Sequence, residues 1–349
     1  MAVPEPTIRV VSAYGDAAAS TRVRAYEWLD HLGLVAHRSD FAGLPSNSPR
    51  SLLRHAPTAV RAQARLWALS REAFTGTVFL TREASPFSHG RVESRILGNA
   101  DHGVYDLDDA LFADTSGWRR ILGKDRKAAA ATASAGVVIA GNEVLAQWAS
   151  QYSSDVRMIP SCIEPAAYRV KDSHEISDTP TLVWMGSRST EAYLADVAPA
   201  LREIHRRTGA RMRVISAPNL TEIRGLEGIM DRVAWTPSGF ANALAGSDVA
   251  LAPLVDTAYA RGKCAYKLLQ YAATGLPVVG SPVGANSAAL RRFDGWAAET
   301  HDEWVDALAE SLSVSAAERA RRGSQARRAV ADHYSFAAWA ADWKRAVLP

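Results

Sequence analysis

The sequence predicts an α/β protein made of two doubly wound, Rossmann-like units that face each other. Three observations lead there. Short apolar runs such as Val137–Ala140 (VVIA), Leu182–Met185 (LVWM) and Val249–Leu254 (VALAPL) alternate with longer Ala-rich segments. Continuous apolar runs flanked by helices mark buried parallel strands. The rhythm runs through the first half and starts again in the second, and a chain of 349 residues exceeds what one core usually holds.

In the first half, strands are predicted at Ile8–Ser12, Thr77–Leu80, His102–Asp106, Gly136–Ala140 and Arg157–Ile159. Helices are predicted at Thr21–His31, Ser51–Ala73, Gly117–Ala133 and Glu143–Tyr152. In the second half the strands are Thr181–Met185, Met212–Ser216, Arg232–Trp235, Val249–Pro253 and Pro277–Gly280. The helices there are Thr190–Thr208, Phe240–Ala245, Lys263–Ala273 and Ala285–Arg292. Pro160 and Pro165 punctuate the join, which gives domains of residues 1–165 and 166–334. Phe336, Trp339, Trp343 and Val347 are spaced for one helix face, so residues 335–349 read as a final amphipathic helix that crosses back to the first domain.

Composition narrows the function classes. A formal charge of +3 is small for this length and gives no support to nucleic-acid binding. The two cysteines, Cys162 and Cys264, lie far apart and fit a reduced, cytoplasmic protein. No apolar run approaches the roughly 20 residues needed to span a bilayer. The start of the chain lacks a basic stretch followed by a long apolar one, so no signal peptide is expected. Between Arg50 and Arg71 the arginines Arg54, Arg61 and Arg65 interleave with Leu52, Leu53, Val60, Leu66, Trp67 and Leu69, without an acid before Arg71. That pattern fits a core-packed helix with a solvated basic face, and it leaves peripheral membrane contact open.

The most informative segment is Arg261–Gly284, RGKCAYKLLQYAATGLPVVGSPVG. A helix is expected to open at Gly262–Cys264 and to stop at Gly275, before a strand begun by Pro277. A helix start presents N–H groups and partial positive charge. Gly262 would let a ligand approach the backbone, Lys263 adds charge, and Gln270 lies two turns on, within reach of a sugar hydroxyl. A phosphate cradle and a plain helix–strand unit with a capping glycine both fit this spacing.

The segment resembles the donor-binding block of the retaining glycosyltransferases of family GT4. There, two acidic residues eight apart flank a helix start, and Gly-x-Pro-Val-Val follows. The acidic positions fall here on Gly262 and Gln270, so this chain looks like an offshoot that lacks both motif glutamates. The resemblance implies a GT-B fold and a nucleotide-sugar donor held by Gly262, Cys264, Ala265, Tyr266, Lys267 and Gln270, with Lys263 acting on the leaving diphosphate. A second match is Trp184–Leu194, WMGSRSTEAYL, where an apolar strand ends at Gly186 and Ser187–Thr190 lead into a helix. Ser189 reads as its N-cap. In GT4 proteins this strand end carries basic residues for the donor diphosphate. Arg188 inherits that role, with Gly186, Ser187, Ser189 and Thr190 around it and Lys263 or Lys267 supplying further charge. The base is expected between the strand ends at Ser216–Pro218 and Trp235–Thr236.

Acceptor-side candidates lie in the first half. Ala13–Tyr26 follows the first strand, and GT4 proteins use this loop next to the donor phosphates and the acceptor. Gly15 therefore joins the donor set and Asp16 and Arg22 the acceptor set. Arg22 and Arg24 sit near a helix start, where a cation suggests a nearby anion; solvated arginines fit equally well. His102–Phe112 puts Asp106, Asp108 and Asp109 after a strand, at the end that faces the ligand crevice in open α/β sheets. They could orient an acceptor or take its proton, with Asp109 as the catalytic candidate, or they could cap the next helix. Arg82 and Glu83 also follow a strand and can hold an acceptor or form a turn salt bridge.

The expected activity is transfer of a sugar from a nucleotide-sugar donor to a small polar acceptor. The resemblance implies retention and no metal, and no cofactor beyond the donor is expected. Two other readings keep the fold: a sugar-nucleotide epimerase, and a non-catalytic partner subunit with a decayed donor site. The high Ala and Arg content resembles that of actinobacterial proteins, where such enzymes often decorate secondary metabolites. The oligomeric state is not legible.

Overall fold

The computed structural model describes residues 7–41, 54–114, 123–218 and 221–349. The chain forms two compact units. The first comprises Met1–Cys162, Arg261–Cys264 and Trp339–Pro349; the second comprises Ile163–Ala260 and Ala265–Ala338.

Among its described residues the first unit holds six parallel strands: β1 (Ile8–Ser12), β2 (Ala36–Asp40), β3 (Phe74–Thr81), β4 (Ala100–Leu107), β5 (Val137–Ala140) and β6 (Val156–Met158). Their order is β2-β1-β3-β4-β5-β6. The second unit also holds six: β7 (Thr181–Met185), β8 (Arg211–Ser216), β9 (Met230–Ala234), β10 (Val249–Ala252), β11 (Val278–Gly280) and β12 (Trp296–Ala297). Their order is β12-β11-β10-β7-β8-β9, again all parallel. In both sheets the strand order reverses at a switch point, at β1/β3 in the first and β7/β10 in the second. Ligands of such sheets sit outside the carboxyl ends of the strands there. The doubly wound architecture is the one the sequence predicts.

Strand β7 shows how each sheet is covered. Val183 and Met185 pack on one face with Leu268, Leu269 and Tyr271. Leu182 and Trp184 pack on the other with Leu194, Leu201 and Leu308. Side chains alternate across a strand, so a run apolar at every position must be buried on both faces. The last helix, Phe336–Val347, places Trp343 in the first unit's core, as its apolar spacing suggests. Trp343 stacks on Trp28 at 5.4 Å and lies 6.0 Å from Phe79. The Thr77 hydroxyl donates to the Val347 carbonyl.

Several elements escape the sequence reading. β2 is a polar edge strand, AHRSD, with no apolar run to announce it. β12 has two residues. Helices Arg91–Gly98, His301–Ser313 and Ala316–His333 were not expected, although Thr300 and Glu303 form a capping box that the sequence spells out. The helix expected at Ser51–Ala73 spans Ala56–Leu69, and the one expected at Gly117–Ala133 spans Lys124–Ser134. Arg50, Leu52, Leu53 and residues 117–122 lie outside the described residues. Among the described residues no helix is long and apolar enough to cross a membrane.

Candidate functional site

The second unit presents a loop at its switch point. β7 ends at Met185, and the Gly186 N–H donates to the Ile215 carbonyl at the end of β8. Ser187 leads into a single turn, Arg188–Thr190, whose Thr190 hydroxyl and N–H both donate to the Ser187 carbonyl. Ser187 and Ser189 hydroxyls are 2.9 Å apart, and Arg188 is exposed. The next helix begins at Ala192 behind Glu191, so Ser189 is not its N-cap. Glu191 anchors the loop instead: it accepts from Ser216 at 2.8 Å and from both arms of Arg232. The Arg232 hydrogen bonds hold its pKa below the usual glutamate value.

The helix expected to open at Gly262–Cys264 opens at Tyr266 and runs to Thr274. Ala265 precedes it in a left-handed conformation, φ +54°, which breaks the helix from the segment before. Lys267 and Tyr271, one turn apart, point the same way. The buried Tyr271 hydroxyl accepts from the Met185 N–H at 2.8 Å. Lys267 lies against Gly186, where an added β-carbon would meet its Cε at 2.7 Å and the Trp184 ring at 2.6 Å. The Lys267 ammonium is 5.7 Å from the Trp184 ring centroid. Gln270 donates to the Tyr168 hydroxyl at 3.2 Å. Tyr168 meets Phe240 edge-on, and Phe240 stacks on the half-exposed Trp235. The Trp235 N–H donates to Ser216 O, which joins the ends of β8 and β9. Asp248 lies at the opposite end of its strand, where it accepts from the Thr181 N–H and the Ser177 hydroxyl.

In the first unit the strand ends gather charge. Arg82 follows β3 with φ +61°, an unusual conformation for a non-glycine residue. Its guanidinium reaches Asp109 at 3.1 Å, Asp108 at 3.6 Å and the Ser20 hydroxyl at 3.3 Å. Lys263 approaches the other Asp109 oxygen at 3.4 Å. Asp109 thus lies between two cations. Asp108 Oδ1 is buried and has no hydrogen-bond partner among the described residues. Burial, opposed by Arg82 and helped by Asp109 and Asp106, pushes its carboxyl up to about 6.

The segment Arg261–Cys264 belongs to this unit and is fastened to it. The Asn142 amide donates to the Gly262 carbonyl at 2.9 Å and to the Lys263 carbonyl at 3.2 Å. Its own oxygen accepts from the Leu145 N–H and caps helix Glu143–Ala149. The Cys264 thiol donates to the Asp108 carbonyl. A β-carbon on Gly141 would meet Cys264 Sγ at 2.3 Å, and one on Gly262 would meet Ala110 Cβ at 2.4 Å. Gly262 therefore leaves room for Ala110, where the sequence suggested room for a ligand. The sequence reading missed Asn142. An Asn placed between a strand and a helix start is the signal that could have found it.

The remaining candidates of the first unit have their neighbours inside it. Asp106 is 1% exposed and accepts from Arg24, itself 2% exposed, and from the Thr81 hydroxyl. Arg24 is therefore not solvated: the anion near this helix start is Asp106. A five-residue π-helical stretch, Arg22–Tyr26, turns it inward. Glu83 is buried and bound by Lys127 at 2.8 Å. Gly15, at φ +51°, leaves room for Asp40, which accepts from Ser12 and Tyr26. Asp16 is exposed and pairs with Arg38, while Arg22 donates to the Asp16 carbonyl. Among the described residues no three His, Cys, Asp or Glu side chains gather to hold a metal ion.

Residues 179–314 match the family described as Glycosyl transferases group 1. The second unit carries a glycosyltransferase domain. The chain is therefore an enzyme of glycosyl transfer, built on the GT-B architecture. The fold is similar to that of HepE from Anabaena, solved with UDP and glucose, with a TM-score of 0.68 at 11% identity over 99% of this chain and 100% of that one. It is also similar to a UDP-forming trehalose-phosphate synthase from Burkholderia xenovorans, with a TM-score of 0.68 at 12% identity over 98% of each chain. WaaG, a glycosyltransferase of lipopolysaccharide biosynthesis, gives 0.63 at 14% identity over 96% of this chain and 99% of that one. Against TarM, the chain spans 54% of that protein's length. No curated relative matches the sequence.

Proposed function

We propose that this enzyme moves a sugar from a nucleotide-sugar donor to a small polar acceptor, with retention and without a metal ion. The observation that carries the reading is the Gly186–Thr190 loop, which includes Arg188 and has Lys267 packed at Gly186, at the switch point of a glycosyltransferase domain. Hydroxyls, main-chain N–H groups and cations at a strand end suit a diphosphate. As the sugar–phosphate bond breaks, negative charge grows on the leaving group, and fixed cations stabilise that charge most. Arg188 and Lys263 are the cations assigned to this work. In a front-face reaction the leaving phosphate takes the acceptor proton, so no strong protein base is required. Arg82, Asp108 and Asp109 are the groups proposed to orient the acceptor. The UDP held by the Anabaena protein makes UDP-sugars the first donors to try.

The test is a donor screen by thermal shift, followed by transfer with the best donor and an NMR assignment of the product anomer. Stabilisation by a nucleoside diphosphate and a product of unchanged anomeric configuration support the proposal. Conversion of the donor to its epimer, or no binding of any nucleoside diphosphate, would sink it.

A further inference from the structure

The second unit carries a basic cavity at the end of its sheet opposite the Gly186 loop. Helix Ala285–Phe293 leaves β11 and leads into β12, which runs parallel to it, so its last turn lies beside the amino ends of the strands. There Arg291 and Arg292 meet helix Ala316–His333 around an open cavity of about 260 Å³. Arg328, Gln325 and His333 also line it, with one acid, Asp332. Arg291, Arg292 and Arg328 are exposed, and among the described residues none of them forms an ion pair. The other arginines of the same helix are occupied. Arg321 and Arg322 pair with Glu318 and Asp294, Arg319 donates to the His174 and Leu312 carbonyls, and Arg327 donates to the Ala273 carbonyl.

Neutral groups hold two of the cavity arginines in place. The Tyr334 hydroxyl accepts from Arg292 at 2.9 Å, and its ring centroid is 5.7 Å from the guanidinium carbon. Tyr334 is itself buried and meets Phe293 edge-on, so it is a fixed anchor. Gln325 bridges the two helices: its amide donates to the Arg292 carbonyl at 3.3 Å and accepts from Arg328 at 3.2 Å. The guanidinium groups are not needed as caps. The Gly295 N–H already donates to the Leu290 carbonyl and the Asp294 N–H to the Arg291 carbonyl. The helix dipole favours two cations in a last turn. It does not account for Arg328, which lies more than a turn before its own helix ends.

We propose that this cavity binds a phosphomonoester, a small soluble phosphorylated metabolite, at a site separate from the donor loop. Guanidinium forks held around one space match the oxygens of a phosphate group. A lipid headgroup offers the same chemistry, but a protein that docks on a bilayer also inserts apolar side chains. Among the described residues, none of the exposed large apolar side chains belongs to either helix, which favours the soluble ligand. The inference does not depend on the donor reading.

Calorimetric titration with glycerol 3-phosphate tests this, run in excess UDP to fill the donor loop and with glycerol as the neutral control. The parent should bind glycerol 3-phosphate saturably and glycerol not at all. Arg291→Gln and Arg328→Gln change exposed side chains and remove one charge each. Each should weaken binding about tenfold, and the double variant should abolish it. Tyr334→Phe keeps the ring, releases Arg292 and should weaken binding about threefold. Arg188→Ala should leave it unchanged. Parent-like binding in the double variant, or none in the parent, overturns the site. Binding to phosphatidic acid vesicles with none to glycerol 3-phosphate overturns the soluble ligand. A signal lost in Arg188→Ala but kept in Arg291→Gln puts the phosphate on the donor loop, so the donor reading stands and this inference fails. If UDP does not bind while glycerol 3-phosphate binds through Arg291 and Arg328, the donor reading fails and this inference stands.

Discussion

Gly262 lies against Ala110 so closely that an added β-carbon would come within 2.4 Å of the alanine Cβ and 2.8 Å of its main-chain nitrogen. The obstacle is backbone and a short side chain, neither of which can swing aside. Any side chain at this position, acidic or not, would have to displace Ala110. Gly262→Ala should destabilise the fold by about 1–3 kcal/mol, and Gly262→Glu should do at least as much without improving turnover. Urea denaturation and steady-state rates of both variants check this. Parent-like stability of the alanine variant would show that the segment has room to shift.

The buried pair Arg24–Asp106 is the load that the first unit places on two residues which sequence reasoning tied to ligands. Arg24 reaches Asp106 at 2.6 Å with both groups almost fully buried. Burial pushes the Asp106 pKa up and Arg24 opposes that shift. Removing either partner leaves a buried charge, at a cost of about 3–5 kcal/mol. Asp106→Ala and Arg24→Ala should each unfold at clearly lower denaturant, and the double variant should fall short of the sum of the two. Additive losses would mean that the pair contributes little as a pair.

The two doubly wound units were legible because β5, β10 and β7 after Thr181 are apolar at every position, and only two-sided burial requires that. The same logic hid β2, whose polar residues lie at an edge. At the site the sequence pointed to small and charged groups after strand ends, yet it could not say which partner each one meets. Gly262 and Gly15 are glycines because Ala110 and Asp40 need the space. Lys267 looks like any helix lysine until Gly186 and Trp184 are seen around it. Sequence shows that a residue is small or charged; tertiary packing decides what stands opposite.

Arg188→Ala and Lys263→Ala should each lower kcat by on the order of 10²-fold, by analogy with loss of one donor to a developing negative charge. Arg188 is exposed and Lys263 is held by Asp109, so the melting temperature should move little in either case. Near-parent rates in both variants would remove these two residues from the mechanism.

Turnover should survive a strong chelator. The proposed loop presents its own cations to a diphosphate, which makes a bound divalent ion redundant. Rates measured with and without EDTA decide the matter. Full loss in chelator, restored by magnesium or manganese, would make a metal part of the reaction.

Asp108 gives the pH dependence a direction. Burial moves its carboxyl from the ordinary aspartate value of 3.8 up to about 6 in the folded protein. The folded state therefore holds this proton more tightly than the unfolded chain does. Below the unfolded value both states are protonated and the group costs nothing. As pH rises through the window between those two values, the unfolded chain ionises first, so stability is lost, and the loss is complete above about 6. Asp108→Asn removes that cost. It should raise stability at about pH 8 by on the order of 2 kcal/mol and change it little at about pH 4. If Asp108 also orients the acceptor, the same variant should lose turnover while it gains stability, the usual trade where a strained group serves function. Melting curves across this pH range, set beside transfer rates, separate the outcomes. A variant destabilised at every pH would mean that the ion pair with Arg82 outweighs burial.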